Sequence, residues 1–330
     1  MGGRMKLLVT GAAGKVGQAF LPAFLSTQRF SSWDVVALCN NRVIDAGDRV
    51  RVVRGSMSDD AILASALEGV THVVHLAAVK ETPDQAIDVA LKGLYLMLER
   101  FRAAVQARQF LLLSGDCVVG HIFQEYAAPI TEAAPRRAYP GSYALTKVLE
   151  EVMLEQYAIQ YGLNVTTLRA PWIMEKDDFR YALRLDDTQF GGPAWETLMD
   201  EAALERVRGG GYYPVMKDAN GGFLKRNFVH VDDLVEAILL SLDNPRAYGE
   251  LFNIAMNEPI DYGALGSLLA KTEQLEGLEI ETPFHSNWLD NTKARKVLGW
   301  SPSIGLEELV ERAWKYRRGE GDPRIVWYPG

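Results

Sequence analysis

The stretch Lys6-Leu7-Leu8-Val9-Thr10-Gly11-Ala12-Ala13-Gly14-Lys15-Val16-Gly17 decides the fold. Residues 6–10 read as a short apolar strand and 16–26 as a helix. The turn between them has the spacing Gly-x-x-Gly-x-x-Gly. Glycines there let the backbone approach a pyrophosphate, which the first amides and positive end of the next helix would hold. Such a turn is a weak signal alone, and its surroundings strengthen it. Apolar runs at 34–38, 50–54, 72–76, 110–114 and 164–169 read as further strands. Several lack alternation, as expected of parallel strands covered on both faces. Between them, 59–67, 85–107 and 143–161 are long enough for crossover helices. Strand and helix alternating in this way predict an α/β fold with a doubly wound parallel sheet.

Beyond about residue 171 the pattern changes. The stretch 177–222 is rich in Gly, Asp and aromatics, with one helix expected at 194–208. Helices at 232–242, 262–271, 292–298 and 306–317 and strands at 251–254 and 278–281 are expected after it. The organisation read from this is a dinucleotide-binding part over 1–170, with later returns near 223–256. A smaller α/β substrate-binding part covers most of 171–330. The crevice between the two is the expected ligand site.

Composition narrows the class. Of 330 residues, 48% are apolar and 24% charged, which excludes wholesale disorder. The net charge of −8 argues against dependence on nucleic-acid phosphates or an anionic membrane. Two cysteines, Cys39 and Cys117, exclude a disulfide framework. His72 and His75 are three apart on an expected strand, hence on opposite faces, so no shared metal is expected. No apolar run reaches the roughly 18 to 20 residues of a membrane span. The start, in which Met5 is an alternative first residue, lacks a secretory core, and the expected location is the cytoplasm.

Two clusters carry the expected chemistry. At the end of the second strand, Leu38-Cys39-Asn40-Asn41-Arg42 lacks the acid that binds the adenosine ribose hydroxyls of NAD. Arg42 close by leans the reading towards NADP, although Asn40 can also bond a ribose. In Ser142-Tyr143-Ala144-Leu145-Thr146-Lys147, Tyr143 and Lys147 lie four apart and share a helix face. A phenol with its usual pKa of about 10 is a poor base at neutral pH. A neighbouring ammonium favours the phenolate, which could take a hydroxyl proton while hydride leaves the same carbon.

Taken together, Gly11/Gly14/Gly17, His75-Leu76-Ala77-Ala78, Tyr143/Lys147 and Arg226-Asn227-Phe228-Val229-His230-Val231-Asp232-Asp233 resemble the extended short-chain dehydrogenase/reductases, the NAD-dependent epimerase/dehydratase family. Asp290-Asn291-Thr292-Lys293-Ala294 and Leu298-Gly299-Trp300-Ser301-Pro302 add to the likeness, which covers roughly 6–317. The resemblance implies a Rossmann sheet and an NAD or NADP cofactor. It implies a carbohydrate-like substrate and a homodimer formed through the helices at 85–107 and 143–161. It places Tyr143 and Lys147 in the catalytic pair and Gly11, Gly14 and Gly17 under the pyrophosphate. Ala13, Lys15, Val16, Ser56, Leu76, Ala77, Ala78 and Pro171 would also touch the dinucleotide, and Lys80, Trp172 and Arg226 the substrate.

The chain also departs from the family. Anchored on Gly120, the position of the third catalytic hydroxyl is Gly115, and Ser114 stands one residue early. Either the loop shifts so that Ser114 serves, or Asp116 takes over its hydrogen bond. Asp116 and Cys117 occupy positions that relatives use to move a proton beside the oxidised carbon. The stretch 278–290 has no Arg or Lys, where nucleotide-sugar enzymes commonly keep a diphosphate-binding Arg. A free sugar, sugar acid or related polyol is therefore expected at least as much as a nucleotide sugar. Asp186, Asp187, Trp195, Tyr212 and Tyr213 are expected to shape that pocket. The leading function is an NAD(P)-dependent epimerase or dehydratase. The alternatives are a plain alcohol/ketone dehydrogenase and a non-catalytic dinucleotide sensor.

Overall fold

The computed structural model describes residues 4–45, 47–185 and 193–322. Asp186 and Asp187 lie outside the described residues. Seven parallel strands form one sheet in the order Glu250–Asn253, Val165–Ala170, Gln109–Gly115, His72–His75, Lys6–Thr10, Asp34–Cys39, Val50–Arg54. Each of the six strands expected in the first half is present, within a residue or so of its expected bounds. The seventh comes from far along the chain and pairs with Val165–Ala170, Phe252 opposite Leu168.

Alternation along the strands explains the layers. Leu7 and Val9 point into a core with Phe20, Phe24, Leu234, Ile238 and Phe252. Leu8 between them points into a second core with Leu63, Leu98, Phe101, Phe110 and Leu154. Helices Lys15–Ser26 and Val231–Ser241 cover the first face. Asp60–Leu67, a helix over 83–103 and Ser142–Tyr161 cover the second. The helix over 83–103 contains a π segment, Ala86–Lys92, and ends before the expected 107 because Ala104 turns extended.

The rest of the chain builds a third core, with Trp195, Tyr213, Phe228, Tyr262 and Val310 among its members. The single helix expected at 194–208 is a 3-10 turn, Trp195–Thr197, and a separate helix, Glu201–Val207. Asp200, whose side chain accepts from the Ala203 amide, starts the second and breaks the run. Two parallel strands, Tyr212–Lys217 and Glu276–Glu281, and a pair Trp172–Met174 with Phe228–His230 complete this part. Because all seven strands of the main sheet are parallel, Gly11, Cys39, Leu76, Gly115 and Pro171 gather at one edge, the carboxyl ends.

Candidate active site

The glycine turn fits its expected use. Gly11 has φ +65°, and a Cβ there would stand 2.7 Å from the Ala77 amide nitrogen. A Cβ on Gly17 would lie 2.5 Å from the carbonyl oxygens of Gly11 and Ala12. The helix Lys15–Ser26 starts at Gly14, whose lack of a side chain leaves the first-turn amides without a side-chain cap. This is the backbone geometry of an anion cradle, and it suits a dinucleotide pyrophosphate. Thr10 Oγ1 lies 2.8 Å from His75 Nδ1 and accepts from the Ala77 amide at 3.3 Å, which fixes Leu76-Ala77-Ala78 beside the turn. Lys15 bridges to the later part of the chain: its Nζ donates to the Ile173 carbonyl at 3.0 Å and to Asp178 Oδ2 at 2.6 Å. At the end of Asp34–Cys39, Cys39 is buried, Asn40 exposed and Arg42 half-buried. Ser56 follows the third strand, where its hydroxyl is 2.9 Å from that of Ser58.

Tyr143 sits in the first turn of Ser142–Tyr161. That helix begins after Gly141, which has no side chain to cap it. Glu81, from the loop after His72–His75, supplies the cap: Oε2 accepts from the Ser142 amide and hydroxyl at 2.9 Å each and from the Tyr143 amide at 3.4 Å. A carboxylate at the positive end of a helix is favourable. Lys80, one residue earlier, holds its Nζ 3.8 Å from the centre of the Tyr143 ring. Burial, and after it the Lys147 charge, push Lys80 down to about 7. Lys147 is buried, and its Nζ donates to Glu150 Oε2 at 2.7 Å and to the Leu113 carbonyl at 3.1 Å.

Position 115 faces this group. A Cβ on Gly115 would stand 3.7 Å from the Tyr143 hydroxyl and 3.1 Å from Cys117 Sγ. Ser114 does not take that place. Alternation along Gln109–Gly115 turns it to the other face, where its hydroxyl donates to Glu151 Oε1 at 2.6 Å. Glu151 is held in turn by Arg169 and Arg136. The shift of loop that would bring Ser114 to the substrate is absent from this structure.

Cys117 is buried, and desolvation, reinforced by Asp116, pushes its thiol far above the usual range. Asp116 Oδ2 lies 2.5 Å from His121 Nδ1, and His121 Nε2 lies 2.7 Å from Arg226 Nη2. An arginine can only donate, so Nε2 accepts and the ring proton is on Nδ1, given to Asp116. The Arg226 guanidinium lies 4.4 Å from the Trp172 ring centre and 5.0 Å from that of Phe228. His121 stacks on Trp172 with 11° between planes. These contacts bring Asp116, Trp172 and Arg226 together. His121 joins them, a residue that sequence reasoning missed. Its one signal was position, directly after the Gly120 that anchors the segment. Glu81 and Glu150 were also missed: nothing in the local pattern marks a loop carboxylate as the cap of a distant helix. Among the described residues, no group of three or more His, Cys, Asp or Glu could hold a metal ion. No helix among them is long and apolar enough to cross a membrane.

A parallel sheet with a glycine-rich first turn, beside a Tyr and Lys one helical turn apart, defines an enzyme of the extended short-chain dehydrogenase/reductase type, dependent on NAD or NADP. The comparisons agree. The model of the NAD dependent epimerase/dehydratase family matches residues 7–174, and the chain belongs to that family. It is 27% identical to a UDP-glucose 4-epimerase of Mycolicibacterium smegmatis, over 96% of this chain and 99% of that one. It is 25% identical to UDP-glucuronate 4-epimerase 2 of Arabidopsis thaliana, over 96% of this chain and 76% of the relative. Among solved structures, a short-chain dehydrogenase/reductase superfamily protein from Agrobacterium tumefaciens with bound NAD superposes with a TM-score of 0.77. The two are 26% identical, over 93% of this chain and 95% of that one.

Proposed function

We propose that the enzyme epimerises or dehydrates a sugar by transient oxidation of one hydroxyl, with Tyr143 as the base and Lys147 as the cation that holds and activates it. The observation that carries this reading is the Tyr143 hydroxyl facing the open side of Gly115 while Lys80 lies over its ring. A nicotinamide dinucleotide on the Gly11–Gly17 turn supplies hydride transfer when bound. Tyr143 Oη takes the proton of the substrate hydroxyl and returns it at the end of the cycle. Asp116, oriented by the Nδ1–H of His121, is the group suited to move a proton at the neighbouring carbon. The absence of an acid at Cys39 and Asn40, with Arg42 nearby, supports NADP over NAD.

Within this reading, the seven-stranded part holds the dinucleotide and the part around Trp172, Tyr213 and Arg226 holds the sugar. The two epimerases named above act on UDP-sugars, which makes nucleotide sugars the first substrates to test. One observation favours free sugars or sugar acids as a second class: Arg226 is buried against His121, Trp172 and Phe228, and 278–290 supplies no Arg or Lys. The same reading makes the protein a homodimer, supported by exposed Ile87, Tyr95, Leu145 and Leu149 on adjoining helices. It also makes the protein cytoplasmic, supported by the free thiols Cys39 and Cys117 and testable by cell fractionation.

The test is a screen of UDP-glucose, UDP-glucuronate and free sugars that follows product stereochemistry and reduced cofactor. Tyr143→Phe should lower turnover by about 10² to 10⁴ while dinucleotide binding stays near wild type. Wild-type turnover in that variant would remove Tyr143 from the base role. Net cofactor reduction in the wild type would instead mark a plain dehydrogenase.

A further inference from the structure

The helix that carries Tyr143 buries three charged side chains within a little more than one turn: Lys147, Glu150 and Glu151. Their partners differ. Glu151 is satisfied by the Ser114 hydroxyl at 2.6 Å and by two guanidinium groups, Arg169 at 2.8 and 3.2 Å and Arg136 at 3.1 Å. Among the described residues the one cation bonded to Glu150 is Lys147, at 2.7 Å, with both side chains no more than 3% exposed. A buried ion pair of this kind contributes little to stability compared with two apolar side chains of the same volume, because desolvation offsets the attraction. Its presence beside the reacting phenol calls for another account.

Geometry supplies one. An ammonium has three N–H donors. Glu150 Oε2, on the same helix, and the Leu113 carbonyl, on the neighbouring strand, take two of those of Lys147, which leaves a third. The Lys147 charge is felt by His75 and Lys80, and by Cys117. Lys80 lies over the Tyr143 ring, the Lys147 charge reaches Lys80, and one buried carboxylate is bonded to Lys147. We propose that Glu150 is a positioning residue for this reaction: it fixes the Lys147 ammonium, and its negative charge raises the pH at which Tyr143 gives up its proton. The proposal rests on the reading of Tyr143 as the base.

The charged and titratable groups around Glu150 are Lys147 and Glu151 on its own helix, and Lys80 on the loop after His72–His75. Ser114 and Arg169 stand on the neighbouring strands, bonded to Glu151. Burial raises Glu150, and the Lys147 ammonium bonded to it at 2.7 Å opposes that rise. Tyr143 and Glu150 are seven residues apart on one helix face, or about 10 Å along the axis at ~1.5 Å per residue. A unit charge at that distance in a partly buried setting moves a titration by about one pH unit.

The test needs no substrate. With saturating NADP, phenolate absorbance is titrated across the neutral range for each variant, and that of the same variant carrying Tyr143→Phe is subtracted, so that the difference reports Tyr143 alone. Glu150→Gln keeps a carbonyl acceptor for Lys147 and removes the charge. Its midpoint is expected about one pH unit below wild type, and the rising limb of turnover, measured with whichever sugar the screen identifies, should move with it. Glu150→Asp keeps the charge and should keep the wild-type midpoint. A Glu150→Gln midpoint that coincides with wild type, or an Asp variant displaced as far as Gln, overturns the proposal. Absence of any Tyr143-dependent titration, with turnover retained in Tyr143→Phe, overturns instead the reading on which it rests.

Discussion

Asp116 and Cys117 are neighbours with opposite surroundings. The Cys117 thiol packs with Val118 and Ala144, and burial holds it protonated well beyond neutral pH. The Asp116 side chain is 15% exposed and receives the His121 Nδ1–H. His121 itself has φ +48°, a left-handed conformation rare for a residue with a side chain, so its place between Asp116 and Arg226 is held against local backbone preference. If one of the pair removes a carbon-bound proton, it is the carboxylate. Asp116→Asn should stop incorporation of solvent deuterium into product while hydride transfer to the cofactor persists, so reduced cofactor accumulates. Cys117→Ala should retain exchange and lose only about 1 kcal/mol of stability from packing. An exchange defect in Cys117→Ala as deep as that of Asp116→Asn would reverse the assignment. From sequence the two residues weighed almost equally. What separates them is burial, which the chain pattern around 116 and 117 does not encode.

At the scale of elements, Leu145 and Leu149 lie one turn apart and exposed on Ser142–Tyr161, and Ile87 and Tyr95 are exposed on the adjoining helix over 83–103. A stripe of this size facing water costs free energy that a second copy would recover. Leu149→Glu should shift the protein from dimer to monomer in sedimentation velocity without changing its circular dichroism. A wild-type monomer at micromolar concentration would remove the dimer from the reading. Elements of the first half were legible because each is a continuous apolar run or an amphipathic helix bounded by Gly or polar residues. Tyr212–Lys217 was not, since Pro214 argues against a central strand. It is tolerated because this strand has one partner, Glu276–Glu281. That Tyr143 and Lys147 lie one turn apart on a single helix followed from helical periodicity alone. Their surroundings did not, because the Glu81 cap comes from 61 residues away in sequence. Likewise, the burial of Glu150 depends on how the helix seats on Gln109–Gly115.

For the whole molecule, two histidines in the middle strand of the sheet set a limit in acid. His72 packs 4.5 Å from the Trp33 ring centre, with Nδ1 2.9 Å from Thr71 Oγ1, and His75 bonds Thr10. Burial lowers His72 to about 4, with Asp243 opposing, and lowers His75 to about 3, with Lys147 adding to the effect. Both folded values lie below the 6.5 of an unfolded chain. The unfolded state therefore binds more protons as pH falls below about 6.5, and stability is lost down to about pH 4 and 3 respectively, and rises again with pH. At pH 5 each imidazole costs about 2 kcal/mol relative to pH 7, against a typical total of about 5 to 15 kcal/mol. Glu150 and Glu175, raised by burial, act in the opposite direction, because the fold holds their protons more tightly. The imidazole share is isolated by comparing urea unfolding of wild type and the double variant His72→Gln, His75→Gln at the two pH values. The wild type should lose about 4 kcal/mol between pH 7 and 5 beyond what the double variant loses. Equal losses in the two proteins would mean that these histidines take up protons in the folded state as readily as in the unfolded one.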